Sequence, residues 1–214
     1  MRTDYFNPNR YKGIEQKIIC PVCGSLPRHR ILTEWLEEHK KVFQGKILYF
    51  ALEESMSIWL KRNGMEVKSA DHNGQADLKV DLQETVFPDC SWDWIITNHV
   101  LEHVNDYQRA LRELYRILKP EGHLIISFPI DETLDTVMEN READEKERIV
   151  TFGQIDHWRL FGRDSEEIIK TIGFDVSRIT AKRFPESIRP YTGPADYDVN
   201  YLFLCKKTKV ENES

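Results

Sequence analysis

The segment KILYFA at residues 46–51 predicts the first strand of a sheet. It is a short, uninterrupted apolar run that follows Gly45, and such a run is typical of a strand buried on both faces of a sheet. A helical pattern comes next at 54–62, with Asn63 and Gly64 as its stop signal. A buried strand followed by an amphipathic helix is the repeating unit of α/β folds with a parallel sheet.

The same alternation continues beyond this first unit. Apolar runs predict further strands at 66–71, 78–82, 92–97 and 123–129, and a helix predicted at 107–118 separates the last two. Strands that alternate with helices at this spacing form a parallel sheet with right-handed crossovers. Such sheets bind ligands at the carboxyl ends of their strands, so we expect the chemistry in the loops that follow the strands.

The residues on either side of this core complete one expected domain. A helix is predicted at 28–40, the charged run at 139–148 indicates a solvated helix face, and two last strands at 174–183 and 199–206 suit an antiparallel pair at one edge of the sheet. We expect a single domain, 1–214, made of an N-terminal arm, cysteine knuckle and helix (1–45), a ligand-binding core (46–130), a lid or substrate insert (131–163), and a C-terminal helix with edge strands (164–214).

Composition limits the class of protein. The chain has 214 residues, of which 40% are hydrophobic, and this is enough for one packed core and excludes general disorder. No run approaches the roughly 18 apolar residues of a membrane span, and residues 1–12 lack the apolar stretch of a secretory signal. A soluble, cytoplasmic protein is therefore expected. The formal net charge of -6 argues against a general attraction to nucleic acid or to an anionic membrane.

The first loop of the core carries acids where a dinucleotide site needs glycines. A pyrophosphate requires the close approach of a glycine-rich turn, but the loop ALEES at 51–55 holds no glycine. Its two carboxylates, on Glu53 and Glu54, would repel a phosphate and attract an amino or sulfonium cation. The loop therefore argues against a dinucleotide and favours a cationic ligand.

Acids after the next two predicted strands indicate a nucleoside. Asp71 lies 20 residues beyond Ala51, at a strand end where a carboxylate can accept both hydroxyl groups of a ribose. Asp81 could accept from an adenine amino group while the backbone N–H beside it, at Leu82, donates to the ring. Together with the acidic first loop, these positions describe a nucleoside ligand without phosphates.

Three segments of the core carry a family resemblance. They are FPDCSWD at 87–93, NHVLEHV at 98–104 and LRELYRILKPEG at 111–122. Together they resemble the central block of class I S-adenosylmethionine-dependent methyltransferases, over about residues 46–129. The resemblance implies a three-layer Rossmann-like α/β fold, with a mostly parallel seven-stranded sheet and an antiparallel edge hairpin.

Two further segments narrow the resemblance. CPVCGSLPRHR at 20–30 and FGQIDH at 152–157 are similar to a bacterial subgroup of these enzymes, which extends the resemblance over nearly the whole chain. The subgroup does not supply a substrate. In the first motif the family's usual acidic residue and glycine triplet are replaced by Tyr49, Ala51, Glu53 and Ser55.

The resemblance implies S-adenosylmethionine as the cofactor and S-adenosylhomocysteine as its product. Glu53 would replace the missing acid by contacting the cofactor's amino group. Arg28 would pair with the cofactor's carboxylate, by the charge-assisted bonding that arginine favours, or would instead form a surface salt bridge. The other residues implied in cofactor binding are Ala51 and Ser55 at the methionine moiety, Asp71 at the ribose, Asp81 and Leu82 at the adenine, and Asn98 and His99 beside the sulfonium.

Two histidines are the candidate catalytic residues. Methyl transfer from a sulfonium is an in-line displacement that needs proximity and alignment, plus a base when the nucleophile must lose a proton. An imidazole titrates near neutral pH. His99 lies at a predicted strand end, where it could equally orient the loop, whereas His157, between Asp156 and Trp158, is the preferred substrate-side group. His103 is interpreted as a packing or capping residue.

The cysteine knuckle has half of a zinc-binding pattern. Cys20 and Cys23 have the spacing of two zinc ligands, but a structural site takes four, and no second pair follows. His29 or His39 could contribute, and the alternative is a reduced, tight turn before the helix. Structural zinc is therefore left open but is not favoured, and no metal ligand is assigned.

The sequence supports three hypotheses for the function. The leading one is a methyltransferase that acts on a small molecule. The second is a non-catalytic domain that keeps the fold as a binding or regulatory partner, which the altered first motif favours. The third is a nucleic-acid or protein methyltransferase guided by the knuckle; the acidic balance argues against nucleic acid and leaves a protein substrate open. The acceptor and the oligomeric state are not determined by the sequence.

Overall fold

Strands and helices alternate through the computed structural model, which describes residues 7–11, 14–186 and 201–208. The predicted N-terminal arm and the loop before the last strand lie partly outside the described residues. The strands are β1 (Asn7–Tyr11), β2 (Ile14–Ile19), β3 (Ile47–Phe50), β4 (Val67–Asp71), β5 (Leu78–Lys79), β6 (Trp92–Asn98), β7 (Leu118–Ser127), β8 (Met138–Glu139), β9 (Arg159–Leu160), β10 (Phe174–Thr180) and β11 (Tyr201–Lys207). The helices are α1 (Pro27–His39), α2 (Glu54–Arg62), α3 (Tyr107–Ile117), α4 (Glu145–Phe152) and α5 (Ser165–Thr171), and Ala181–Arg183 forms a short 3₁₀ helix.

The central sheet has seven strands in the order β10, β11, β7, β6, β3, β4, β5. The pairs from β7 across to β5 are parallel. β11 is antiparallel to both of its neighbours, β7 and β10. The predicted fold, a mostly parallel seven-stranded sheet with an antiparallel pair closing one edge, is confirmed.

Apolar side chains on both faces of β3 hold the three layers together. All four residues of this strand are buried. Leu48 and Phe50 pack in a cluster with residues of α3 and α5, whereas Ile47 and Tyr49 pack with residues of α1 and α2. Because successive side chains of a strand point to opposite faces, a strand covered by helices on both sides is apolar at every position.

The helix α3 matches its predicted amphipathic pattern. The side chain of Asp106, at its N-cap, accepts a hydrogen bond from the Arg109 N–H. One face of the helix, with Ala110, Leu111 and Leu114, is fully buried against the sheet. None of the described helices is long and apolar enough to cross a membrane.

Four segments differ from the prediction. β7 begins at Leu118, within the predicted 107–118 helix, and not at 123. Part of the segment predicted as an N-terminal arm forms β1 and β2 as an antiparallel pair. β5 covers only two residues of the predicted 78–82, although Val80 and Leu82 stay in the core. The charged run at 139–148 is not one solvated helix face, because Glu139 belongs to β8, which pairs with β9, and α4 begins only at Glu145.

Candidate functional site

The carboxyl ends of β3 and β6 meet where the strand order reverses. β3 is parallel to β4 on one side and to β6 on the other, with Phe50 opposite both Ala70 and Thr97. The chain runs outward from β3 to β4 and β5 and then returns to β6. Open α/β sheets bind ligands in the crevice at such a point. The loops that begin at Ala51 and His99 border this crevice, and both residues have a positive φ, of 52° and 54°.

Ala51 has backbone strain that a glycine would relieve. The left-handed region costs an L residue roughly 1–2 kcal/mol, and glycine avoids this cost. Glycine also loses more conformational entropy on folding, which offsets about 0.5–1 kcal/mol of the gain. We therefore expect Ala51→Gly to raise the free energy of unfolding by about 0.5–1 kcal/mol, measured by urea denaturation. Ala110→Gly, in the middle of α3, should lower it by about 1 kcal/mol or more in the same assay. If Ala51→Gly lowers the free energy of unfolding as Ala110→Gly does, the backbone at Ala51 is not strained.

The loop after β3 and the start of α1 form an ionic cluster around Glu53. The Arg28 guanidinium pairs with Oε1 of Glu53, and its Nε lies 3.4 Å from Oε2. The His29 ring contacts Oε2 through Nε2, and its Nδ1 lies 2.8 Å from the Ser55 hydroxyl oxygen. Three of the predicted cofactor residues, Arg28, Glu53 and Ser55, are therefore brought together.

The ionic cluster presents one cation beside one anion. Burial acts to raise the pKa of Glu53, but the hydrogen bond from His29 and the charge of Arg28 outweigh it and lower the pKa to about 2. Burial also lowers the pKa of His29, which favours a neutral ring. The Nδ1 of His29 accepts the Leu26 N–H at 3.1 Å, so Nε2 carries the proton that is donated to Glu53. The sequence did not single out His29 for this role, because a helical pattern does not say which first-turn side chain reaches another loop.

The predicted nucleoside positions lie at the ends of the next two strands. Asp71 ends β4, and its carboxylate accepts the backbone N–H of Gln75 at 3.1 Å. Asp81 follows β5 and accepts the backbone N–H of Gln83 at 2.8 Å. The side chain of Leu82 is buried in the core, so its backbone N–H is the part that remains for an adenine contact.

The side chain of Asn98 turns into the sheet and not toward the crevice. Its Nδ2 donates to the Tyr49 hydroxyl oxygen at 2.8 Å, and its Oδ1 accepts from the Ser127 hydroxyl at 2.9 Å. The residue is buried and links β3, β6 and β7. A residue still within the strand uses its amide to satisfy buried neighbours, and the position of Asn98 beside the sulfonium stays a prediction.

His99 lies at the carboxyl end of β6 with a partly exposed ring. The backbone N–H of His99 donates to the Ser127 carbonyl oxygen at 2.7 Å. Its ring Nδ1 lies 3.2 Å from Oε1 of the fully buried Glu102. Burial lowers the pKa of His99, and the positive charge of Arg28 acts in the same direction. The charge of the ionic cluster therefore reaches the ring at the end of β6.

His157 is buried beneath the insert and is not open on its surface. The residue is 1% exposed, and its Nδ1 donates to the Phe152 carbonyl oxygen at 2.9 Å. Its ring packs edge-on against His103, with 4.7 Å between the ring centroids. The expected role of His157 as a substrate-side group is therefore corrected, because its ring is buried and bonded within the insert.

A buried arginine fastens the insert to the loop after β6. Arg159 is fully buried. Its Nη1 donates to the carbonyl oxygens of Leu101 and Val104, at 2.5 and 2.6 Å. Its Nη2 donates to the carbonyl oxygen of Asn105 at 3.0 Å and to the Glu139 carboxylate at 2.8 Å. A guanidinium can serve so many acceptors because its N–H groups form a fixed, planar fork.

Part of the chain matches a known protein family. Residues 32–126 match the family model described as a methyltransferase domain. The demethylmenaquinone methyltransferase of Listeria welshimeri is 36% identical over 81 residues, which are 38% of this chain and 33% of that relative. The ubiquinone biosynthesis O-methyltransferase of Marinobacter nauticus is 24% identical over 148 residues, which are 64% of this chain and 62% of that relative. The chain thus spans about a third of the length of the Listeria relative.

Solved structures share the fold at low sequence identity. The [4+2]-cyclase SpnF superposes with a TM-score of 0.56 and 15% identity, over 85% of this chain and 82% of that chain. A SAM-dependent methyltransferase from Archaeoglobus fulgidus superposes with a TM-score of 0.53 and 18% identity, over 84% of this chain and 94% of that chain. These neighbours confirm the Rossmann-like methyltransferase fold. The cyclase also illustrates that one fold can carry different activities.

Proposed function

We propose that this protein is an S-adenosylmethionine-dependent methyltransferase that acts on a small-molecule acceptor and releases S-adenosylhomocysteine. The match of residues 32–126 to a methyltransferase domain supports the proposal, as do the names of the similar proteins. The observation that carries it is the pair of opposite charges, Arg28 and Glu53, at the point where the strand order reverses.

The ionic cluster complements the methionine moiety of the cofactor. An amino acid end carries one ammonium and one carboxylate, which would pair with Glu53 and Arg28 respectively. A carboxylate has about four acceptor sites. Arg28 and His29 occupy three of those on Glu53, so one remains for the ammonium. Ala51 and Ser55, which belong to the same loop as Glu53, would line the site of the methionine moiety.

The remaining cofactor contacts follow the strand ends. Asp71 would accept the ribose hydroxyls, and Asp81 with the Leu82 backbone would hold the adenine. The transferable methyl group would then lie near His99, whose ring is the partly exposed group at the end of β6. Because the transfer is an in-line displacement, the main task of these loops is to align the methyl group with the acceptor.

The acceptor proposed for the first tests is a quinone-type or phenol-type ring. Both curated relatives described above are named for quinone substrates or quinone biosynthesis. We assign His99 to the acceptor side of the crevice and give His157 no direct contact, because its ring is buried. A protein acceptor is the alternative that these names do not support.

Calorimetry with S-adenosylmethionine and S-adenosylhomocysteine tests the proposal. We expect one cofactor per chain, and we expect S-adenosylhomocysteine to accumulate when a quinol acceptor is supplied. The absence of heat with either compound at high protein concentration would overturn the assignment. Cofactor binding without transfer to any of a panel of small acceptors would favour the second reading, a binding or regulatory domain with an altered first motif.

A further inference from the structure

A cluster of metal-ligating side chains lies beside the crevice, where the insert meets the loop after β6. Glu102 and His103 come from the loop and His157 comes from the insert. Each residue offers one ligand atom, and these atoms all lie within 4.8 Å of one another. We propose that Glu102, His103 and His157 bind a divalent transition metal ion of the Zn²⁺ class. The proposal does not depend on the proposed methyltransferase function.

Both imidazoles are held in the arrangement that metal-binding histidines use. Nδ1 of His157 donates to the Phe152 carbonyl oxygen at 2.9 Å, and Nδ1 of His103 lies 3.2 Å from the Asp156 carbonyl oxygen. A carbonyl oxygen only accepts, so in each ring the proton is on Nδ1 and the lone pair is on Nε2. Metal-ligating histidines typically donate their other ring N–H to a backbone carbonyl or a carboxylate, and this fixes the tautomer and the ring orientation.

Glu102 supplies the negative charge that a cation requires. Its side chain is fully buried, and neither carboxylate oxygen has a hydrogen-bond partner among the described residues. Nδ1 of His99 lies within ion-pair distance of Oε1, at 3.2 Å, whereas Oε2 has no such contact among the described residues. A buried carboxylate whose oxygens are not hydrogen-bonded costs several kcal/mol, and a bound metal ion removes that penalty. The buried Oε2, which has no partner among the described residues, therefore points to a cation independently of the two histidine ligands.

The ligand set selects the class of metal. Two imidazoles and one carboxylate form the set that Zn²⁺ uses when a fourth position stays open, and non-haem Fe²⁺ uses the same set. The absence of thiolate separates this site from the Cys20 and Cys23 pair. His103 is partly exposed, so an ion can enter from solvent. Once bound, the ion would join the insert to the loop that carries His99.

Titration of the metal-free protein with Zn²⁺ tests the site. We expect one equivalent of Zn²⁺ to bind to a Cys20→Ser, Cys23→Ser double variant and to raise its unfolding temperature. His103→Ala and Glu102→Gln in that background should weaken binding more than about 100-fold, since even residues that only orient the ligands change metal affinity by about 10- to 100-fold. His72→Ala, an exposed histidine after β4, is the matched control and should bind Zn²⁺ like its parent.

Cobalt spectroscopy supplies the decisive second measurement. Co²⁺ bound to the Cys20→Ser, Cys23→Ser variant should absorb in the visible range without a thiolate-to-metal charge-transfer band. The proposal is overturned if the double cysteine variant binds neither ion, or if His103→Ala and Glu102→Gln bind as tightly as their parent. If these two variants do not fold, the spectrum of the double cysteine variant decides, because a site made of imidazole and carboxylate ligands must still appear there.

Discussion

Replacing Arg159 by methionine is expected to lower the free energy of unfolding by about 3–5 kcal/mol. The guanidinium is fully buried and donates to three carbonyl oxygens of the loop after β6 and to the Glu139 carboxylate. Methionine has a similar volume but no donor, so these acceptors would be left buried without partners. Urea denaturation followed by circular dichroism measures the change.

Arg141→Met is the matched control for this substitution. Arg141 bonds the same Glu139 oxygen through Nε at 2.6 Å, but its side chain is half exposed. Exposed ion pairs contribute about 1 kcal/mol or less, so the control should lose no more than that. Similar losses for the two variants would show that the surface pairing with Glu139 matters and that the carbonyl contacts of Arg159 do not.

Replacing Glu53 by glutamine is expected to weaken S-adenosylmethionine binding by about 10- to 100-fold. The change keeps the shape of the side chain but removes the charge that would hold the cofactor's ammonium, and a hydrogen bond to a charged group contributes about 1.5–3 kcal/mol. It also releases Arg28, which would no longer be held beside the cofactor's carboxylate. Calorimetric titration of each variant with the cofactor gives the affinity.

Glu54→Gln removes the same charge from the next residue of the loop. Glu54 is exposed and opens α2, so this variant should bind the cofactor within about twofold of the wild type. Equal weakening in both variants would mean that only the general negative potential of the loop matters. A thermal melt of each protein separates a loss of affinity from a loss of folded protein.

The sheet could be predicted from the sequence because its signal is local. A strand segment covered on both faces is an apolar run, and β3 and the central parts of β6 and β7 are such runs, with ILYF at 47–50, WII at 94–96 and LII at 124–126. The loops at Ala51, Asp71 and His99 could be selected for the same reason, since a strand end is a property of neighbouring residues. Their common location then follows from the parallel topology alone.

The contacts that build the site could not be predicted in this way. His29 reaches Glu53 across 24 positions and Arg159 reaches Leu101 across 58, and no periodic pattern encodes such pairs. The buried position of His157 depends on how the insert folds back, which again is a long-range property. Asn98 was assigned to the ligand from its place in a motif, whereas its amide is needed by Tyr49 and Ser127.

The position of β11 determines when the central sheet can finish folding. β11 lies inside the sheet, hydrogen-bonded to β7 and to β10, yet it is the last described strand in the chain. A nascent chain that has been synthesised only as far as β10 would leave the side of β7 unpaired, and an open strand edge of that kind pairs readily with other chains. The region that matches the methyltransferase domain therefore cannot close its own sheet before residues 201–207 are synthesised. Its final folding must wait until residues 201–207 have left the ribosome.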